Sequence, residues 1–183
     1  MGSEMSQALG EWLARFEPQV EELITWNTLR LRVRSYCVSD LPPDEFITSV
    51  RAVVCDEKRV LMVRDPESVH ILPGGRREPS ETLEQTLRRE VLEETGWEIA
   101  NLHMLGIKHF HHLSPKPAGY TYPYPDFLQV IYLATPERYD ASSRQTTGYE
   151  LDAVLAPHSD LEQLHLSPGE RLFLQAALQK LHS

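Results

Sequence analysis

Cysteine is scarce in this 183-residue chain: Cys37 and Cys55 are the only two. Two thiols supply neither a disulfide framework nor a cysteine-rich zinc site, and no secretory signal is recognised, so a reducing cytoplasm is the expected compartment. Long hydrophobic runs are also missing. No stretch reaches the length of a membrane span, and a membrane is not an expected partner. Positive charge is in the minority, with 18 Lys and Arg against 27 Asp and Glu and a formal net charge of −9. Without a clustered Lys/Arg stripe the chain offers no surface for tracking a phosphate polymer, and no nucleic-acid partner is expected. What is present is 41% hydrophobic residues, enough for one domain with a real core. No internal repeat or low-complexity tract interrupts it.

The most informative segment is residues 75–97, GRREPSETLEQTLRREVLEETGW. Within it Glu90, Glu93 and Glu94 stand at i, i+3 and i+4, so on an α-helix three carboxylates project from one face. An exposed glutamate-rich helix is by default a solvated surface. Three carboxylates crowded together repel, however, and a hard divalent cation with oxygen ligands relieves that repulsion; magnesium is the natural occupant, with manganese as a substitute. The helix is well signalled: Thr82 with Gln85 forms a capping box, Leu83, Leu87 and Val91 recur every fourth residue, and Gly96 suits a left-handed helix end. Ahead of it, Leu72-Pro73-Gly74-Gly75 predicts a tight loop whose glycines let backbone groups approach a phosphate or a metal, which makes Gly74 and Gly75 candidate substrate-binding residues.

Gly75, Glu81, Arg89, Glu90, Val91, Glu93, Glu94, Gly96 and Trp97 fill every defined position of a pattern that resembles the Nudix box. The resemblance implies an α/β fold, an α/β/α sandwich with a mixed sheet, and a pyrophosphohydrolase that cleaves a nucleoside diphosphate linked to another group. It further implies that Glu90, Glu93 and Glu94, with the carbonyl of Gly75, are metal ligands, and that Arg89 and Glu81 orient those glutamates. The reaction would be attack of a metal-activated water on phosphorus. Glu90 is one candidate base; Glu150, in the loop 146–152 with Asp152, is another. Two alternatives stay open: a catalytically silent module that binds a nucleotide or a protein partner, and a hydrolase of a non-nucleotide diphosphate such as an inositol or prenyl compound.

The rest of the chain divides into a leader, residues 1–48, and a hydrolase domain, residues 49–183. In the leader Leu9, Trp12, Leu13, Phe16, Val20, Leu23 and Ile24 follow helical spacing, with Pro18 opening a second helix or kinking one. Such a stripe either packs on the domain or serves a homodimer or a substrate lid. Leu29 to Arg34 alternates apolar with basic, which fits a charge-blunted edge strand, although helical spacing fits as well. Ser49 to Cys55 and Arg59 to Arg64 read as strands paired around Asp56-Glu57-Lys58, Phe127 to Ala134 as a further strand, and Ser167 with Glu170 as a capping box that opens a C-terminal helix. His109, His111 and His112 fit a solvated strand end or a phosphate contact. The segment Tyr120 to Phe127 alternates aromatics and prolines, as in a rigid connecting loop or a wall on which a base stacks.

Overall fold

A computed structural model describes residues 6–26, 28–145 and 151–182. In chain order the elements are α1 (Gln7–Leu13), β1 (Val20–Trp26), β2 (Leu29–Tyr36), a 3-10 turn (Asp44–Phe46), β3 (Ile47–Val54), β4 (Arg59–Arg64), β5 (Val69–His70), β6 (Gly74–Arg76), α2 (Leu83–Thr95), β7 (Trp97–His112), β8 (Asp126–Tyr139), β9 (Asp152–Pro157), a second 3-10 turn (His158–Gln163) and α3 (Pro168–Leu181). Six strands form a mixed sheet in the order β1-β2-β7-β8-β3-β6, and β5-β4-β9 form a smaller one. The β3/β8 pair is parallel and the other pairs of the large sheet are antiparallel.

Two cores lie on opposite faces of the large sheet. One joins Leu9, Trp12, Leu83, Leu87 and Val91 of α1 and α2 to Val50 and Val130; the other joins Phe173 and Ala177 of α3 to Val53, Ile131 and Leu133. The result is the α/β/α sandwich expected from the sequence. The apolar stripe of α2 explains its seating: Leu87 and Val91 are fully buried, each contributing roughly 1.5–3 kcal/mol by leaving water. Both capping boxes form, Thr82 with Gln85 and Ser167 with Glu170, and Gly96 ends α2 at φ 76°.

Three expectations are corrected. The helical leader is confined to α1; Val20, Leu23 and Ile24 lie in β1, because Pro18 cannot donate a helical hydrogen bond and the β-branched and aromatic residues beyond it find a partner strand in β2. Leu29 to Arg34 is a strand but not an edge, since β1 covers it on the outside. Its basic face is occupied: Arg34 Nε donates to Glu21 at 2.7 Å and Arg32 lies 3.8 Å from the same carboxylate. Finally, β3 and β4 belong to different sheets and share only the isolated Cys55–Val60 bridge. A strand buried on both faces, as Val50, Ala52, Val53 and Val54 show β3 to be, takes a central position beside a parallel neighbour rather than a hairpin partner. No helix among the described residues is long and apolar enough to cross a membrane.

Candidate active site

The box begins on β6, which pairs antiparallel with β3 through Arg51↔Gly74, Val50↔Gly75 and Ser49↔Arg76. This pairing fixes the glycine loop against the sheet, and residues 77–82 then connect it to α2. Gly74 has φ 130°, and a Cβ there would meet the Val50 carbonyl oxygen at 2.4 Å; only glycine fits. A Cβ on Gly75 would fall 2.2 Å from Oε2 of Glu90, so the absent side chain leaves the space in which that carboxylate sits. The Gly74 amide donates to Glu94 Oε2 at 2.8 Å, tying loop to helix.

Arg89 organises the remaining carboxylates. Its Nε and Nη2 donate to the two oxygens of Glu81 at 2.7 and 2.8 Å, a bidentate pair, while Nη1 donates to Glu90 Oε1 at 2.8 Å and Glu93 Oε2 at 3.3 Å. Thr86 adds a hydroxyl bond to Glu81 at 2.8 Å. With Arg89 and Thr86 donating to it, the Glu81 carboxyl is held down to about 2. The same contacts with Glu81 push the Arg89 guanidinium further into its charged form. Three carboxyl groups thus surround one guanidinium, and no described hydrogen bond engages Oε2 of Glu90 or Oε1 of Glu93.

All seven residues expected from the sequence, Gly74, Gly75, Glu81, Arg89, Glu90, Glu93 and Glu94, therefore meet at one place. As they stand, no three acidic, histidine or cysteine side chains among the described residues converge into a metal cage. The donor chemistry still fits a hard cation: carboxylate oxygens from one helix face, a Glu90 carboxylate admitted beside the loop by the missing side chain of Gly75, and an arginine that holds two of the carboxylates in place. Magnesium is suited to such a partial shell, because it keeps several waters.

The other loop candidate is split. Glu150 lies outside the described residues. Asp152 opens β9, exposed, 3.9 Å from Arg144. The segment leading toward it is anchored on α2, since the Gln145 amide donates to the Glu93 carbonyl at 2.8 Å and Arg144 Nε to the Glu94 carbonyl at 3.2 Å.

The histidine cluster is not a solvated strand end. His109 and Asp126 are each 1% exposed, and His109 Nε2 and His111 Nδ1 meet the same Asp126 oxygen at 2.7 and 2.8 Å. Against the opposing effect of burial, these two imidazoles hold the Asp126 carboxyl below its usual range. Asp126 had no signal in the sequence, because only the pairing of β7 with β8 brings it to the histidines. A second feature missed by sequence reasoning is a cavity of about 400 Å³ beside Gly75, lined in part by Trp26, Arg51, Arg76, Phe110, Tyr122 and Gln129.

The box therefore keeps its spacing in three dimensions, as an arginine-clamped acidic helix beneath a glycine loop, which is the construction of a Nudix-type hydrolase. The NUDIX domain family model matches residues 45–177, and the chain belongs to that family. Solved structures share the fold at low identity. The Bacillus subtilis pyrophosphohydrolase BsRppH is 21% identical at TM-score 0.59, over 88% of this chain and 96% of that one. A NUDIX hydrolase from Nitrosomonas europaea is 21% identical at TM-score 0.57, over 75% and 90%. The NUDIX domain of Shewanella oneidensis NrtR, complexed with ADP ribose, is 22% identical at TM-score 0.54, over 76% and 90%. No curated protein matches the chain.

Proposed function

We propose that the protein is a magnesium-dependent pyrophosphohydrolase that cleaves a nucleoside diphosphate linked to another group. The observation that carries this reading is the convergence of Glu81, Arg89, Glu90, Glu93 and Glu94 beneath the Gly74-Gly75 loop. Glu90, Glu93, Glu94 and the Gly75 carbonyl would hold the cation, with manganese as a substitute; when bound, it activates water and neutralises charge on the phosphoryl oxygens. The chain's own residues do the positioning. Arg89 orients Glu90 and Glu93 while Glu81 and Thr86 hold Arg89, a supporting layer of the kind that tunes metal sites. The Gly74 amide donates to Glu94 and ties it to the loop. Either Glu90 or Glu150 takes the proton of the attacking water. The ligand and activity of the similar proteins, ADP ribose for NrtR and pyrophosphohydrolysis for BsRppH, support the substrate class.

The test is a magnesium-dependent screen of nucleoside triphosphates, ADP-ribose, NADH, dinucleoside polyphosphates and nucleotide sugars, with products identified by mass and Glu94→Gln run beside the wild type. A hit abolished by the substitution supports the reading. Silence across the panel from a folded protein favours a binding module or a non-nucleotide diphosphate. Small-molecule recognition by the domain of residues 49–183 is the working assignment, and a homodimer through the leader is tested by its mass in solution.

A further inference from the structure

We propose that Trp26, on the hairpin of β1 and β2, is the platform on which the nucleobase of the diphosphate substrate stacks in the cavity beside Gly75. This rests on reading the adjoining site as a diphosphate hydrolase and names the part of the substrate that site does not touch.

The cavity's volume, about 400 Å³, falls within the range of small-molecule sites. Its walls are aromatic and already fixed. Phe110 and Phe127, partners across β7 and β8, stack at 4.7 Å with 7° between their planes. Tyr122 lies under the Arg76 guanidinium at 4.9 Å, and the Tyr120 hydroxyl is 3.0 Å from His112 Nε2. Trp26 differs: it is 56% exposed, and Ile24, on the same face of β1, is 38% exposed. Two large apolar groups at the mouth of an aromatic cavity are surface that a stacked ring would cover. Both precede residue 45, where the family match begins.

The floor decides among ligands. Ser49 and Gln129 are cross-strand partners joined by a hydrogen bond at 3.1 Å, and both line the cavity. A prenyl chain would bury that amide and hydroxyl without replacing the water they lose, whereas a base edge carries donors and acceptors to meet them. A polyphosphorylated ring would have to desolvate its charges against Ile24, Trp26, Leu29 and Phe110. At the end nearest the box, Arg51 and Arg76 line the same cavity; Arg51 Nη1 is held by the Leu72 carbonyl at 2.7 Å. They stand between base and box, where the diphosphate would run.

The test is binding of ADP-ribose, GDP, UDP, inorganic pyrophosphate and geranyl diphosphate, read by isothermal titration calorimetry in EDTA so that no turnover intervenes. Full-length wild type, Trp26→Ala and Trp26→Phe are compared. At least one nucleotide should bind wild type, Trp26→Ala should weaken it about tenfold or more, as loss of a stacking platform does, and Trp26→Phe should restore most of the affinity. Pyrophosphate should be indifferent to both substitutions. Nucleotide affinity unchanged in Trp26→Ala, equal weakening of pyrophosphate, failure of every nucleotide to bind, or geranyl diphosphate as the Trp26-dependent ligand would each overturn the proposal. Trp26-dependent binding without magnesium-dependent hydrolysis leaves this inference standing and removes the hydrolase reading. Hydrolysis sensitive to Glu94→Gln with a KM indifferent to Trp26→Ala does the reverse.

Discussion

Replacing Gly75 with alanine separates the site from the fold. The added Cβ would sit 2.2 Å from Glu90 Oε2 and 2.5 Å from Cδ, where ordinary contact begins near 3.4 Å. The carboxylate must therefore retreat by about 1.2 Å, on the scale at which misplacement of a catalytic group reduces turnover by roughly 10²-fold. The atoms that yield are the far end of a flexible side chain, so stability should change by less than about 1 kcal/mol. Gly74→Ala is the contrast. Its Cβ meets the Val50 backbone oxygen at 2.4 Å with φ at 130°, neither of which can relax locally, and the fold should lose roughly 2 kcal/mol or more. Melting temperature and kcat on one substrate, measured for both variants, check the pair. The reasoning is refuted if Gly75→Ala keeps wild-type kcat, or if it melts as early as Gly74→Ala.

Glu94→Gln should keep the fold and lower magnesium-dependent turnover by orders of magnitude, measured as kcat with circular dichroism as the control; wild-type turnover in a folded variant would sink the ligand assignment. Glu81→Gln leaves Arg89 without its bidentate partner and should reduce kcat by roughly 10–100-fold, with a partial return in Glu81→Asp. Because the Glu81 carboxyl is lowered from 4.5 to about 2, the unfolded chain takes up its proton first on acidification. Its contribution to stability is complete above 4.5 and is lost as pH falls toward about 2, so a carbon-13 titration of Glu81 should show a midpoint far below 4.5, and a midpoint at 4.5 would contradict the clamp.

The acidic helix was legible because its evidence is local. Caps, stripe and carboxylate spacing lie within residues 82–96, and a helix brings such neighbours together whatever surrounds it. The strands β8 and β4 were legible for similar reasons. What the sequence hid depends on pairing between distant segments. Asp126 meets His109 and His111 only across the β7/β8 register, and Trp26 reaches the cavity only because β1 adds to the sheet beside β2. The helical spacing from Leu9 to Ile24 misled because apolar residues at i, i+3 and i+4 also occur by accident in a β-branched strand that follows a helix. Likewise, Asp56-Glu57-Lys58 has the chemistry of a hairpin turn, with the Asp56 carboxylate accepting from the Lys58 and Arg59 amides, yet the strands it joins separate into two sheets.

Manganese binding, followed by electron paramagnetic resonance on wild type, Glu90→Gln and Glu94→Gln, tests most directly whether the box carboxylates hold a divalent cation. It needs no knowledge of the substrate. The account expects a wild-type site that magnesium displaces and that either substitution weakens by at least about tenfold. A wild-type protein that binds no manganese, or variants that bind it as tightly as wild type, would contradict the account.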